Sequence, residues 1–255
     1  EEDGYSFKVE VVDGTGEVVD NGAKGNSSNP SHWPSYYEKA KKACNIIMNY
    51  CQNKNAFGSK ESPSYENTDI WAIFTAARCG YIPYGDTNYF DKWFANTKEY
   101  LQLNQGTDVS QWKTTELSKL ILAIEAIGYD PRDISSVDLL SAVGSRKSTE
   151  LTYTTVYAIN AIKAGGYTAD TFKDTEINQW AHDTAKALSN AEDKIFANAD
   201  NTIGWQPLIF WYKKPGYDDV TEAVDKALHK LPAIAQRSTG SFCTPGFETG
   251  CMSYG

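Results

Sequence analysis

Four apolar segments, each closed by Gly-Tyr, restrict this chain more than anything else in it. They are TDIWAIFTAARCGY (Thr68 to Tyr81), TTELSKLILAIEAIGY (Thr114 to Tyr129), LTYTTVYAINAIKAGGY (Leu151 to Tyr167) and NTIGWQPLIFWYKKPGY (Asn201 to Tyr217). Seven residues before each glycine stands Ile73, Ile121, Ile159 or Ile209, preceded by Ala72, Leu120, Ala158 or Leu208. Four residues before the glycine stands Ala76, Ile124, Ile162 or Tyr212. These offsets share one face of a 3.6-residue helix. The closing glycine can take the left-handed conformation that stops a helix. The stops recur every 38 to 50 residues, a period of repeated helix pairs.

Between these segments lie charged, amphipathic ones. The pattern predicts helices over Tyr36 to Gln52, Asn88 to Leu103, Val137 to Val143, Thr175 to Leu188 and Asp218 to Gln236. In the first, Ser35 and Glu38 have capping-box spacing, and Ala40, Cys44, Ile47, Met48 and Cys51 fall on one side. Thr68 or Asn67 is expected to cap the first repeated helix. The second repeated helix is expected over Trp112 to Ile127 and the third over Leu151 to Ala164. The fourth, Thr202 to Tyr212, is expected to kink or start late at Pro207. Phe247 to Cys251 looks like the opening of a fifth copy. A helix apolar on all sides must be buried, whereas an amphipathic one can face water. Alternation of the two predicts an inner ring of helices inside an outer ring. Closure buries the inner helices without the polar caps an open solenoid needs. Before the helices, residues 5 to 12 alternate apolar and polar ahead of Asp13-Gly14, a β-hairpin signal. Residues 20 to 34 are rich in Gly, Asn, Ser and Pro. The expected organisation is a β-hairpin arm and linker over 1–34 and a helical domain over 35–255.

Composition narrows the function classes. A net charge of −9 with scattered basic residues argues against a nucleic-acid partner, which needs clustered Lys and Arg. No apolar run reaches the roughly 18 residues of a membrane span. The acidic start, Glu1-Glu2-Asp3, shows no signal peptide, as in a mature or truncated chain. The five cysteines, Cys44, Cys51, Cys79, Cys243 and Cys251, do not form a dense disulfide framework. Cys44 and Cys51, two turns apart on one helix, stand too far apart to bridge. Cys243 and Cys251 could meet across a loop, and most of the five are expected to be buried free thiols.

The repeated helices with their Gly-Tyr stops, together with QRSTGSF (Gln236 to Phe242), resemble the α/α toroid of the terpenoid cyclase and protein prenyltransferase superfamily. TELSKLILAIEAIGYDPRD (Thr115 to Asp133) is similar to a sequence of secreted and cell-wall proteins of Gram-positive bacteria. The resemblance covers about residues 35 to 255. It implies an all-α double ring of inner and outer helices, incomplete against the family's six pairs. It also implies an extracellular or cell-surface location. Kinship with the helical domain of cobalamin carriers makes a corrinoid a candidate ligand.

The chemistry of cyclases and prenyltransferases is not visible. No Asp-X-Asp-Asp string occurs, and Asp218-Asp219-Val220-Thr221-Glu222 is explained by helix capping and dipole compensation. Thr249-Gly250-Cys251 offers one zinc ligand where a catalytic site needs three, and His32, His182 and His229 are scattered. No Gly-X-Ser-X-Gly elbow or phosphate loop appears. Aromatic residues are plentiful, and the N-terminal ends of inner helices would converge on one mouth of a toroid. Those ends carry Thr68 and Trp71, Thr115 and Glu116, Tyr153 and Thr154, Thr202 and Trp205, and Glu248. Aromatic walls with a few polar groups make ligand sites. The sequence is therefore read as a surface binding module for a small hydrophobic or corrinoid ligand, a surface protein or a glycan, without a metal. One alternative is an enzyme on isoprenoids or polysaccharides, with Glu116 and Glu248 as the carboxylate pair. The other is a structural spacer in a larger surface protein.

Overall fold

The computed structural model describes residues 11–12, 18–20, 33–102, 109, 112–134, 137–146, 153–192 and 203–235. Those residues are mostly helical and fall into two compact units, Glu1–Ala142 and Val143–Gly255. Val11–Val12 pairs antiparallel with Val18–Asp20.

The first unit contains α1 (Trp33–Asn53), α2 (Ile70–Cys79), a short 3-10 turn (Pro83–Gly85), α3 (Tyr89–Tyr100) and α4 (Thr114–Ala126). Helix α5 (Leu139–Gly144) crosses the division between units. Helix α1 begins before Ser35, with Pro34 in its first turn where no N–H is needed. The Ser35–Glu38 capping box lies outside the described side chains. Helix α2 packs against both α1 and α4.

Sequence dictates how α2 and α4 end. Gly80 and Gly128 are left-handed, at φ 69° and 89°. The amide of Tyr81 donates to the carbonyl of Ala76 at 2.9 Å, and that of Tyr129 to Ile124 at 3.0 Å. The glycine amides donate to Ala77 and Glu125. This is the paired bonding of a Schellman stop, which satisfies carbonyls that the helix leaves over. Each tyrosine then reaches back to the preceding amphipathic helix. Tyr81 hydroxyl bonds Asn49 Oδ1 of α1 at 2.9 Å. Tyr129 hydroxyl donates to Asp91 Oδ1 of α3 at 2.9 Å, and its ring stacks on Phe94 at 3.9 Å. The Gly-Tyr motif thus ends one helix and fastens it to its neighbour.

A disulfide joins Cys44 of α1 to Cys79 of α2, with Cα atoms 6.6 Å apart. Two of the five cysteines expected to be mostly free thiols are therefore bridged. The bridge links two packed helices 35 residues apart, a relation that spacing within one helix cannot reveal. Cys51 is a free thiol. Helix α1 buries Met48 but leaves Ile47 55% exposed, so its apolar side is narrower than the sequence pattern predicts.

The second unit contains α6 (Tyr153–Ala164), α7 (Asp174–Ser189), a 3-10 segment (Gln206–Phe210) and α8 (Asp218–Ala235). Helices α7 and α8 pack together, and the 3-10 segment packs on α6 and α7. Helix α6 ends like α2 and α4: Gly166 is at φ 72°, and Tyr167 amide donates to Ile162 carbonyl at 3.1 Å. Ile73, Ile121 and Ile159 are all fully buried.

The fourth copy departs from the pattern. Ile209 is 62% exposed, and Leu208 and Trp211 are buried instead. Residues 206–210 form a 3-10 segment rather than a continued helix, and Lys213 sits at φ 57°. Residues 203–205 are α-helical and the change to 3-10 falls at Gln206 and Pro207, so the segment breaks at the proline, the first of the two expected outcomes, and does not start late. The early end traces to Pro215, which lacks an N–H and drives Lys214 out of the helical region. Gly216 keeps its positive φ of 84°, and the Tyr217 ring stacks on His182 of α7 at 4.9 Å.

Candidate functional site

Within the first unit, the N-terminal ends of α2 and α4 face a cavity of about 370 Å³. It is lined by Tyr65, Glu66, Thr68, Asp69, Ile70, Trp71, Tyr100, Glu116 and Lys119. Three residues nominated from sequence, Thr68, Trp71 and Glu116, therefore meet here.

Helix α3 holds the loop that forms one wall. Trp93 Nε1 donates to Thr68 Oγ1 at 2.8 Å, and Asn96 Nδ2 donates to Pro63 carbonyl at 2.9 Å. Tyr65 amide donates to Thr97 Oγ1 at 2.9 Å. Thr68 hydroxyl itself donates to Ser64 carbonyl at 2.7 Å. Thr68 is thus committed on both sides to fixing the loop. Asp69, rather than Thr68 or Asn67, caps α2: its Oδ1 accepts from the amides of Trp71 at 2.9 Å and Ala72 at 3.4 Å. A carboxylate there also suits the positive end of the helix dipole.

Aromatic rings form the other wall. Tyr65 stacks between Tyr100 and Trp112, with ring centroids 6.2 Å and 5.0 Å away. Trp71 is 39% exposed and touches Phe74 edge-on at 5.8 Å. Glu116, in the first turn of α4, pairs with Lys119 at 2.9 Å. The lining therefore carries Glu66, Asp69 and Glu116 against Lys119 alone. Burial raises the pKa of the Tyr65 hydroxyl, and the negative charge of Glu116 raises it further.

The remaining nominated residues lie elsewhere. Thr115 is in the first turn of α4, half-buried, and does not line the cavity. Tyr153 and Thr154 open α6 in the second unit. Trp205 is there too, preceding the 3-10 segment, its indole N–H shielded and unbonded. Thr202 and Glu248 fall outside the described residues, as do Cys243, Cys251 and the fifth-copy segment. Sequence reading missed Tyr65, Glu66, Asp69, Ile70, Tyr100 and Lys119. Asp69 and Lys119 had local signals: an Asp directly before an apolar helical run is a preferred N-cap, and three residues after Glu116 puts Lys119 on the same helix face.

A second buried group sits at the opposite end of α4. Both carboxyl oxygens of Glu125 are shielded and without a hydrogen-bond partner. Burial pushes its pKa up to about 9, with Asp130 adding to the rise and Arg78 of α2 opposing it. Arg78 also lies over the Phe74 ring at 5.6 Å.

Among the described residues, no group of three or more His, Cys, Asp or Glu could hold a metal ion, and no helix is long and apolar enough to cross a membrane. No protein-family model, curated protein or solved structure matches the chain.

Proposed function

We propose that this protein is a non-catalytic binding module, displayed at or beyond the cell surface, whose ligand sits in the cavity at the N-terminal ends of α2 and α4. In this reading the helices form an incomplete α/α toroid carrying an N-terminal β-hairpin arm. One observation carries the binding role: a cavity in which the rings of Tyr65, Trp71 and Tyr100 stand among five polar or charged side chains, Glu66, Thr68, Asp69, Glu116 and Lys119, convergent groups of the kind that orient a ligand. Thr68 and Asp69 are held by hydrogen bonds within the protein, so the wall is rigid before any ligand arrives, which lowers the ordering cost of binding. The Cys44–Cys79 bridge supports an oxidising compartment, where such bonds persist.

Tryptophan fluorescence tests the proposal, because Trp71 lines the cavity and Trp112 stacks on its wall. The chain is titrated with soluble glycans, peptides and cobalamin up to millimolar concentration. Saturable binding that Trp71→Ala weakens supports the reading. Binding that Trp71→Ala leaves untouched, or none across the panel, removes it.

A further inference from the structure

The geometry points to a cationic group, an ammonium or guanidinium, as what the α2–α4 cavity recognises. This rests on the binding role proposed above and adds the chemistry of the ligand. Two independent features of the site converge on it.

The first is the charge balance. Two helix N-termini by themselves favour anions. Here the protein has already supplied those anions. Asp69 is bonded to the first amides of α2, and Glu116 stands in the first turn of α4. Lys119 and Glu116 offset one another and Asp69 is engaged by the α2 amides, which leaves Glu66 as the uncompensated charge that an incoming anion would meet. Glu66 is exposed on the rim, available to a ligand charge.

The second is the aromatic wall. Tyr100, Tyr65 and Trp112 form a continuous stack, and Trp71 presents an exposed indole beside it. The stack covers the faces of Tyr65, so the face on offer is the exposed Trp71 indole; such a face attracts a cation within about 6 Å of the ring centroid, worth roughly 0.5–1 kcal/mol at exposed sites. A carboxylate beside such faces neutralises the same ligand charge. A phosphate or carboxylate ligand gains from neither feature.

The cation could come from a lysine or arginine of a peptide, or from a free polyamine. Isothermal titration of the full chain separates the possibilities, using a lysine- and arginine-rich hexapeptide, its glutamate-substituted counterpart, spermidine and a neutral hexasaccharide. The expected result is binding of the basic peptide or spermidine, none of the acidic peptide, and weakening as salt rises. Binding of the peptide but not spermidine assigns a protein partner; the reverse assigns a free amine. Glu66→Gln and Trp71→Ala should each weaken binding about threefold, and the double variant about tenfold. Because Glu66 is a rim carboxylate, Glu66→Gln keeps the fold, and unchanged circular dichroism confirms it. Saccharide binding lost in Trp71→Ala, with no binding of either cation, would overturn the cation assignment and leave the binding role standing. Silence from every probe would remove both.

Discussion

Gly58 and Gly80 both hold left-handed backbone, at φ 58° and 69°, yet a side chain would meet different surroundings at each. At Gly80 an added Cβ touches nothing within 4 Å, whereas at Gly58 it would fall 2.6 Å from Asn67 carbonyl and side-chain oxygens. Gly80→Ala should therefore cost only the backbone penalty of about 1–2 kcal/mol. Gly58→Ala should cost more, because Asn67 is itself bonded to Ser62 and Ser64 and cannot withdraw freely. Urea unfolding of the two variants measures the difference; equal losses would mean the Asn67 loop yields. Glu125 gives a pH-dependent expectation. Folded, it keeps its proton up to about pH 9; unfolded, it releases it near the ordinary 4.5. Its contribution is thus present in full below that ordinary value and is lost progressively as pH rises, until it is gone above the folded pKa. Glu125→Gln should match wild type near pH 4 and be more stable by at least about 1 kcal/mol near pH 8. A variant less stable than wild type near pH 8 would instead show an ionised Glu125 paired with Arg78. At this scale a third of the site was legible, three of the nine residues lining the cavity. Thr68, Trp71 and Glu116 follow from their place at helix starts, but Tyr65 and Tyr100 reach the cavity only once α3 folds against the loop before α2, a relation no local spacing encodes.

Among elements, the clearest division is between three Gly-Tyr stops that complete their bonding and one that does not. Gly80, Gly128 and Gly166 close α-helices through bonds from the following tyrosine to the residue four before the glycine. That residue is the same Ala76, Ile124 or Ile162 that the apolar pattern places in the core, and each is fully buried. Core pattern and helix stop are thus two readings of one geometry, which is why these helices were legible. The fourth copy keeps the glycine and tyrosine but inserts Pro215 before them. The amide of Tyr217 turns instead to Lys214 carbonyl. The proline was in plain view; its consequence for the last turn outweighs the apolar spacing that made the segment look like its siblings. The Cys44–Cys79 bridge was hidden because α1 and α2 have to pack before the thiols meet. It closes a loop of 35 residues, for which the chain-entropy relation gives about 4 kcal/mol. Cys44→Ser with Cys79→Ser should lower unfolding stability by about 2–4 kcal/mol. Reductant should destabilise wild type and leave that double variant unchanged; a double variant as stable as wild type would mean the bridge contributes nothing.

For the whole molecule, the informative helices are those with little surface left over. Helix α4 buries Leu117, Ser118 and an unbroken run from Leu120 to Ile124, and α6 buries Thr155, Val156, Ala158, Ile159, Ala161 and Ile162. A helix lying on a single layer keeps a polar face to solvent; these two have almost none. The proposed double ring accounts for that burial by surrounding each inner helix with others, and it has a thermodynamic signature. If every inner helix is walled by its neighbours, melting any one exposes apolar surface on the rest, at about 25 cal/mol for each Å². Partial unfolding is then unfavourable and the chain should melt as one unit. A chain of 255 residues does not do so by default, since intermediates become common above about 100–150 residues. A single calorimetric transition, with calorimetric and van't Hoff enthalpies equal, is therefore the expected outcome and a discriminating one. Two separate transitions, one moved by a cavity ligand and the other not, would count against the proposed double ring. The cavity would survive that result, because all the residues lining it belong to the unit that ends at Ala142.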